Sequence, residues 1–134
     1  MRVFQFGFFG GDTPHKPHNY INNCVAYSGT HDNNTLLGYL WETPTDTKNE
    51  IMRYCVCDEN QWNEKGCKAI IRTIIASNAG LVIFPVQDLL GYGNDTRLNV
   101  PGRAEGNWLY RITKEQLNLI DRNELRELNR LYGR

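Results

Sequence analysis

Apolar and polar positions along this chain follow two periods, and the change from one to the other marks its elements. Residues 3–9 (VFQFGFF) are a β-branched and aromatic run closed by Gly10 and Gly11, which predicts a buried strand. A polar loop follows, in which Pro14 and Pro17 fix φ and oppose regular structure. Residues 24–28 (CVAYS) predict a second short strand that ends at Gly29. The polar run Thr30, His31, Asp32, Asn33, Asn34, Thr35 then precedes Leu36, Leu37, Tyr39, Leu40 and Trp41. An Asn or Thr side chain there can cap a helix start.

Thr47 and Glu50 have capping-box spacing, and Ile51, Tyr54 and Cys55 give the short helix after them one apolar face. A longer helix is predicted over residues 60–78, where Cys67, Ile70, Ile71, Ile74 and Ile75 recur at helical spacing before Asn78 and Gly80. Residues 81–86 (LVIFPV) are nearly continuous in apolar residues, the pattern of a strand covered on both faces, with Pro85 suited to its end. Two further capping-box spacings, Thr113 with Gln116 and Asp121 with Glu124, start helical segments that carry Leu117, Ile120, Leu125, Leu128 and Leu131.

The predicted order is therefore strand, helix, strand, helices, strand, helix. Such alternation implies an α/β fold with a parallel sheet joined by right-handed crossovers. In these sheets function collects beyond the carboxyl ends of the strands. Polar clusters fall there three times, at residues 14–19, 29–35 and 87–107. No repeat, low-complexity tract or linker interrupts the series, so residues 1–134 read as one segment. A complete (β/α)8 barrel takes about 250 residues. With 134, this chain cannot be one.

Charge narrows the partners. Fifteen Lys and Arg balance fifteen Asp and Glu. This removes the basic excess by which nucleic acids and anionic membranes are held. No stretch reaches the ~20 apolar residues that span a bilayer, and the first residues lack a basic region followed by an apolar one, so a cytoplasmic protein is expected. Cys24, Cys55, Cys57 and Cys67 read as reduced thiols rather than a disulfide frame. They lack paired C-x-x-C spacing, and His15 and His18 are distant in sequence, so neither a metal nor another cofactor is expected.

Two clusters can carry chemistry. In Ser28–Asn34 a His31-Asp32 pair sets a carboxylate beside an imidazole, an arrangement suited to polyhydroxylated ligands and cationic transition states. The same residues also fit an Asx-rich helix cap, and local chemistry leaves both readings open. Gln87-Asp88, Arg97, Asn99 and the loop 101–108 combine amides, both charges and the Trp108 indole, which suit sugar hydroxyls and faces. An ordinary solvated loop would look similar. His15 and His18 read as loop histidines, and Trp41 and Trp62 as core residues of helices. No nucleophile elbow or Gly-rich phosphate loop is present.

These residues carry a resemblance. The stretches YSGTHDNNT (27–35), PVQDLLG (85–91), RLNVPG (97–102) and GNW (106–108) resemble, in order, the C-terminal third of the 4-α-glucanotransferases. These are the amylomaltases or disproportionating enzymes of glycoside hydrolase family 77. The opening MRVFQFGF and the HNY of residues 18–20 extend the similarity over essentially the whole chain.

The resemblance implies a partial (β/α)8 TIM barrel, comprising about the last three βα units. It implies an enzyme that moves α-1,4-glucan segments between maltooligosaccharides by a retaining mechanism. Such chemistry needs a nucleophilic carboxylate and an acid/base carboxyl about 5–5.5 Å apart. In the family both lie on earlier strands, so the resemblance implies that these 134 residues hold neither and are inactive alone. Asp32 matches the third acid, which stabilises the transition state. His31 matches a sugar hydrogen-bond donor, Asn99 a residue bordering the cleft, and Gln87 and Asp88 supports of the substrate site. Ser28 and Asn34 depart from the Thr and Asp expected there. Three strands cut from a closed barrel would leave two open edges, so self-association is also expected. The alternatives are a non-catalytic glucan-binding or assembly module and a redox or zinc module on the cysteines.

Overall fold

In a computed structural model that describes all 134 residues, three short strands form one parallel sheet in the order β1-β2-β3. They are β1 (Arg2–Val3), β2 (Val25–Tyr27) and β3 (Leu81–Ile83). Ala26 is the hub of the register, opposite Arg2 on one side and Val82 on the other. Six helices accompany them: α1 (Leu36–Glu42), α2 (Thr45–Tyr54), α3 (Glu64–Ile75), α4 (Val86–Leu90), α5 (Lys114–Asn118) and α6 (Arg122–Leu131). None is long and apolar enough to cross a membrane.

One face of the sheet is packed. Ala26, Leu36, Leu40, Ile51, Met52, Ile70 and Ile74 are fully buried in a continuous apolar core, with Val82 against it. Leu40 from α1 and Ile70 with Ile74 from α3 meet there because i, i+4 spacing stacks side chains on one helix face. Residues 25, 27, 81 and 83 point to the opposite face by the two-residue alternation of strands. Nothing covers that face fully: Leu81 is 52% and Ile83 42% exposed. The expectation that β3 is covered on both faces is therefore corrected, because β3 is an edge strand with helices on one side only.

Other expectations also change. The run 3–9 is not one strand: after Val3 the chain turns into a 3₁₀ segment, Phe4–Phe6, which Gly7 N closes on Phe4 O at 2.9 Å. That turn buries Val3, Phe4 and Gln5 in succession and brings Phe8 back to 5.1 Å from Phe4 between ring centres. No α-helix lies between β1 and β2, only 3₁₀ turns. α2 starts at Thr45 behind Pro44 rather than at Thr47, since proline's fixed φ suits the entry to a helix. Trp41 is 54% exposed, not core, and Trp62 lies in the connection before α3 beneath the Lys48 ammonium, 3.7 Å from its ring centre.

The caps fare better. Thr35 Oγ1 accepts from Gly38 N at 3.1 Å, starting α1. Thr113 and Gln116 form a reciprocal capping box on α5, whereas α3 is shorter than the predicted 60–78, because Asn60 has a left-handed φ of +66° and the cap falls on Asn63. Asp121 caps α6 through Glu124 N at 2.9 Å.

Candidate functional site

The site forms where the connections leaving β2 and β3 meet, beyond the carboxyl ends of both strands. In the first, Asn33 Oδ1 accepts from Thr30 N at 2.9 Å and from Thr30 Oγ1 at 2.8 Å. This side-chain turn projects His31 and Asp32 outward, where their side chains are 57% and 51% exposed. Gly29 leaves room at the entry for the Gln5 side chain, whose amide nitrogen would lie 2.7 Å from a Cβ there and would have to shift.

The second connection clasps the first. Asn99 Nδ2 donates to Asp32 Oδ1 at 2.6 Å, and Arg97 Nη2 donates to the Asp32 carbonyl at 2.8 Å. His31 Nε2 lies 3.3 Å from the same Oδ1. Both interactions fall on one carboxylate oxygen, which leaves Oδ2 free to accept from a ligand hydroxyl. Arg97 is itself fixed by donating from Nε to Asn99 O at 2.9 Å. The structure thus joins three residues predicted as functional, His31, Asp32 and Asn99, across 67 positions of sequence.

Gln87 and Asp88 occupy a different level. They lie in the first turn of α4, not at the end of a strand, and are only 5% and 2% exposed. Asp88 Oδ2 accepts from Ser28 Oγ at 2.5 Å and its Oδ1 from Leu36 N at 2.8 Å. Burial pushes the Asp88 carboxyl up to about 6, with both donors pulling the other way. Gln87 Nε2 donates to Thr96 O at 3.1 Å, and Asn34 Nδ2 donates to Asn94 Oδ1 at 3.0 Å. The two unexpected residues, Ser28 and Asn34, therefore both serve this buried joint, and an aspartate at 34 could not make the donation that Asn34 makes. Gln87 and Asp88 approach the exposed residues from beneath, lining with Thr30 and His31 a cavity of about 70 Å³.

Gln5 belongs to the same joint and was not singled out from sequence. Its Nε2 donates to Asn34 O at 2.8 Å, tying the end of β1 to the loop that carries Asp32. The available signal was an amide in the middle of an apolar run. Of the histidines outside the site, His15 Nδ1 accepts from Val3 N at 3.0 Å, and His18 lies between Tyr54 OH and Asp12 Oδ1 at 2.9 and 3.1 Å. All four cysteines are free. Burial pushes the Cys55 and Cys67 thiols up to about 12, opposite to what a metal-binding or nucleophilic thiolate requires. A larger cavity of about 220 Å³ lies between α3, α4 and α6, lined by Ile71, Leu89, Leu125 and Leu128 together with the charged Glu64, Lys68, Asp121 and Glu124.

Residues 1–117 match the 4-alpha-glucanotransferase family. The chain is 42% identical to the 4-alpha-glucanotransferase of Synechocystis, over 100% of this chain and 26% of that protein. It is 39% identical to the chloroplastic/amyloplastic enzyme of Solanum tuberosum, over 100% of this chain and 23% of that one. Among solved structures, the amylomaltase from Streptococcus agalactiae in complex with acarbose superposes with a TM-score of 0.89 at 32% identity. That superposition covers 99% of this chain and 27% of the amylomaltase. The chain spans about a quarter of the length of the relatives it matches, and its three parallel strands with their helices are part of an α/β barrel.

Proposed function

This chain belongs to the 4-alpha-glucanotransferase family, and from that premise we propose that it forms the part of a glucanotransferase barrel that holds Asp32 against the sugar at the point of cleavage. The overall reaction is the transfer of α-1,4-glucan segments between maltooligosaccharides with retention at the anomeric carbon. Retention needs a nucleophile and an acid/base group about 5–5.5 Å apart. Both are supplied from outside these residues. Asp88, the other carboxylate of the joint, is turned into the core and committed to Ser28 and Leu36.

Asp32 acts on the transition state rather than on the bond. As positive charge develops on the sugar ring, a carboxylate already fixed in place stabilises it without reorganising, so the interaction strengthens along the reaction. The fixing is done by Asn99, which together with His31 occupies Oδ1 and leaves Oδ2 for sugar hydroxyls. His31 offers its imidazole to the same sugar. The Asn99–Asp32 hydrogen bond, made across two connections at the carboxyl edge of the sheet, is the observation that carries this reading.

The 134 residues alone are expected not to disproportionate maltotriose. Release of glucose and longer oligomers by the purified chain, lost in Asp32→Ala, would contradict this division of labour. The two open edges of the sheet and the exposed Leu81 and Ile83 support self-association of the isolated chain. Light scattering at micromolar concentration should then give a mass above 15.5 kDa. A monodisperse monomer would rule it out.

A further inference from the structure

Trp108 is the one site residue whose backbone is under strain. Its φ is +62°, in the left-handed region that a bulky L residue rarely enters. Glycine would sit there without cost, and glycines do occupy the positive-φ positions 102 and 106 of the same loop. The conformation is held from both sides: Trp108 N donates to Leu98 O at 2.6 Å, and Arg111 Nη1 donates to Trp108 O at 2.8 Å. The first of these bonds closes the loop at its base, and Val100 N reinforces it by donating to Asn107 Oδ1 at 2.9 Å. Asn99 and Trp108 thus emerge together from one closed base.

Each reaches one member of the His31-Asp32 pair. Asn99 takes the carboxylate, and the Trp108 indole lies 5.3 Å from the His31 ring between centres, tilted by 40°. Such aromatic pairing adds a restraint to a half-exposed ring whose Nε2 also lies 3.3 Å from Asp32 Oδ1. The indole itself stays 51% exposed, so burial of the indole does not account for the strain. Strain kept at a site is offset by what it positions.

We propose that Trp108 is a positioning residue, holding the His31 imidazole in register with Asp32 while Asn99 holds the carboxylate. Its role in glucan binding rests on the function proposed above; its hold on His31 does not.

The test uses the whole chain, isotope-labelled, with four variants, three at Trp108 and one, His31→Gln, as the comparison. Three-bond couplings report whether His31 keeps one χ1 rotamer, and maltoheptaose is the sugar probe. Wild type and Trp108→Phe should keep a single rotamer, whereas Trp108→Leu and Trp108→Gly should average. Trp108→Gly, which relieves the strained φ, should melt no lower than Trp108→Leu. Maltoheptaose affinity should fall roughly two- to tenfold in the Leu and Gly variants and recover in Phe. An unchanged His31 rotamer in Trp108→Leu, or undiminished affinity there when His31→Gln weakens binding, overturns the proposal. If wild type shows no response to maltoheptaose at residues 30–32 while the couplings behave as expected, the glucan reading fails and the hold on His31 stands.

Discussion

Asp88 and Asp32 are carried by the same pair of connections, yet their surroundings differ at every point. Asp88 is buried and spends both oxygens on partners within the protein, Ser28 Oγ and Leu36 N. Asp32 is half exposed, and the Asn99 and His31 interactions fall on a single oxygen. The lower carboxylate holds β2, α1 and α4 together. The upper one is held still by a neighbouring loop and left open on one side. A buried joint that ties the connections together is thus stacked beneath a rim that is open to solvent on one side.

Separating the two levels should begin with the largest effect. Asp88→Ala leaves the Leu36 N–H and the Ser28 hydroxyl without their acceptor inside the core, at about 1–3 kcal/mol each. Urea unfolding should show a loss of several times RT, and a loss below about 1 kcal/mol would mean that the joint is not structural.

Next comes pH. Because burial raises the Asp88 carboxyl to about 6, the native state binds that proton more tightly than the unfolded chain does. Its contribution to stability is complete below the usual carboxylate range and is lost as pH rises through about 6. Each unit of the difference corresponds to about 1.4 kcal/mol. Asp88→Asn keeps an acceptor for Leu36 N and removes the charge, so it should flatten the unfolding free energy across that interval. A slope equal to that of wild type would assign the pH dependence to other groups.

The smallest stability effect is expected at the rim. Asp32→Ala should change the unfolding free energy by no more than about 0.5–1 kcal/mol, as for other exposed positions. A larger loss would place Asp32 in the joint rather than above it.

The contrast between levels also explains what was legible in the sequence. Local signals were readable where neighbours in sequence decide the outcome. The Thr35 cap, the Thr113–Gln116 capping box and the apolar spacing of α3 each need only a few residues. Motif likeness singled out His31, Asp32 and Asn99 together, but the hydrogen bond between residues 32 and 99 is a property of the fold. Gln87 and Asp88 are polar residues after a strand, a pattern shared by ligand contacts and buried supports; only burial separates the two. Gln5 was hidden for the related reason that an apolar run gives no sign of which polar member finds a partner 29 positions away. The short first strand was overestimated because aromatic residues suit a strand and a 3₁₀ turn alike, and the turn is what brings Phe4 and Phe8 onto the same core.

Titration of the labelled chain with maltoheptaose tests the central claim most directly. In wild type, amide shifts should change at residues 30–33, 97–99 and 108 and stay fixed around Ser28, Leu36 and Asp88. In Asp32→Ala the same titration should leave residues 30–33 and 97–99 unmoved while the protein remains folded. Equal shifts in Asp32→Ala, or shifts confined to another surface, would contradict the assignment of Asp32 as the residue that meets the sugar.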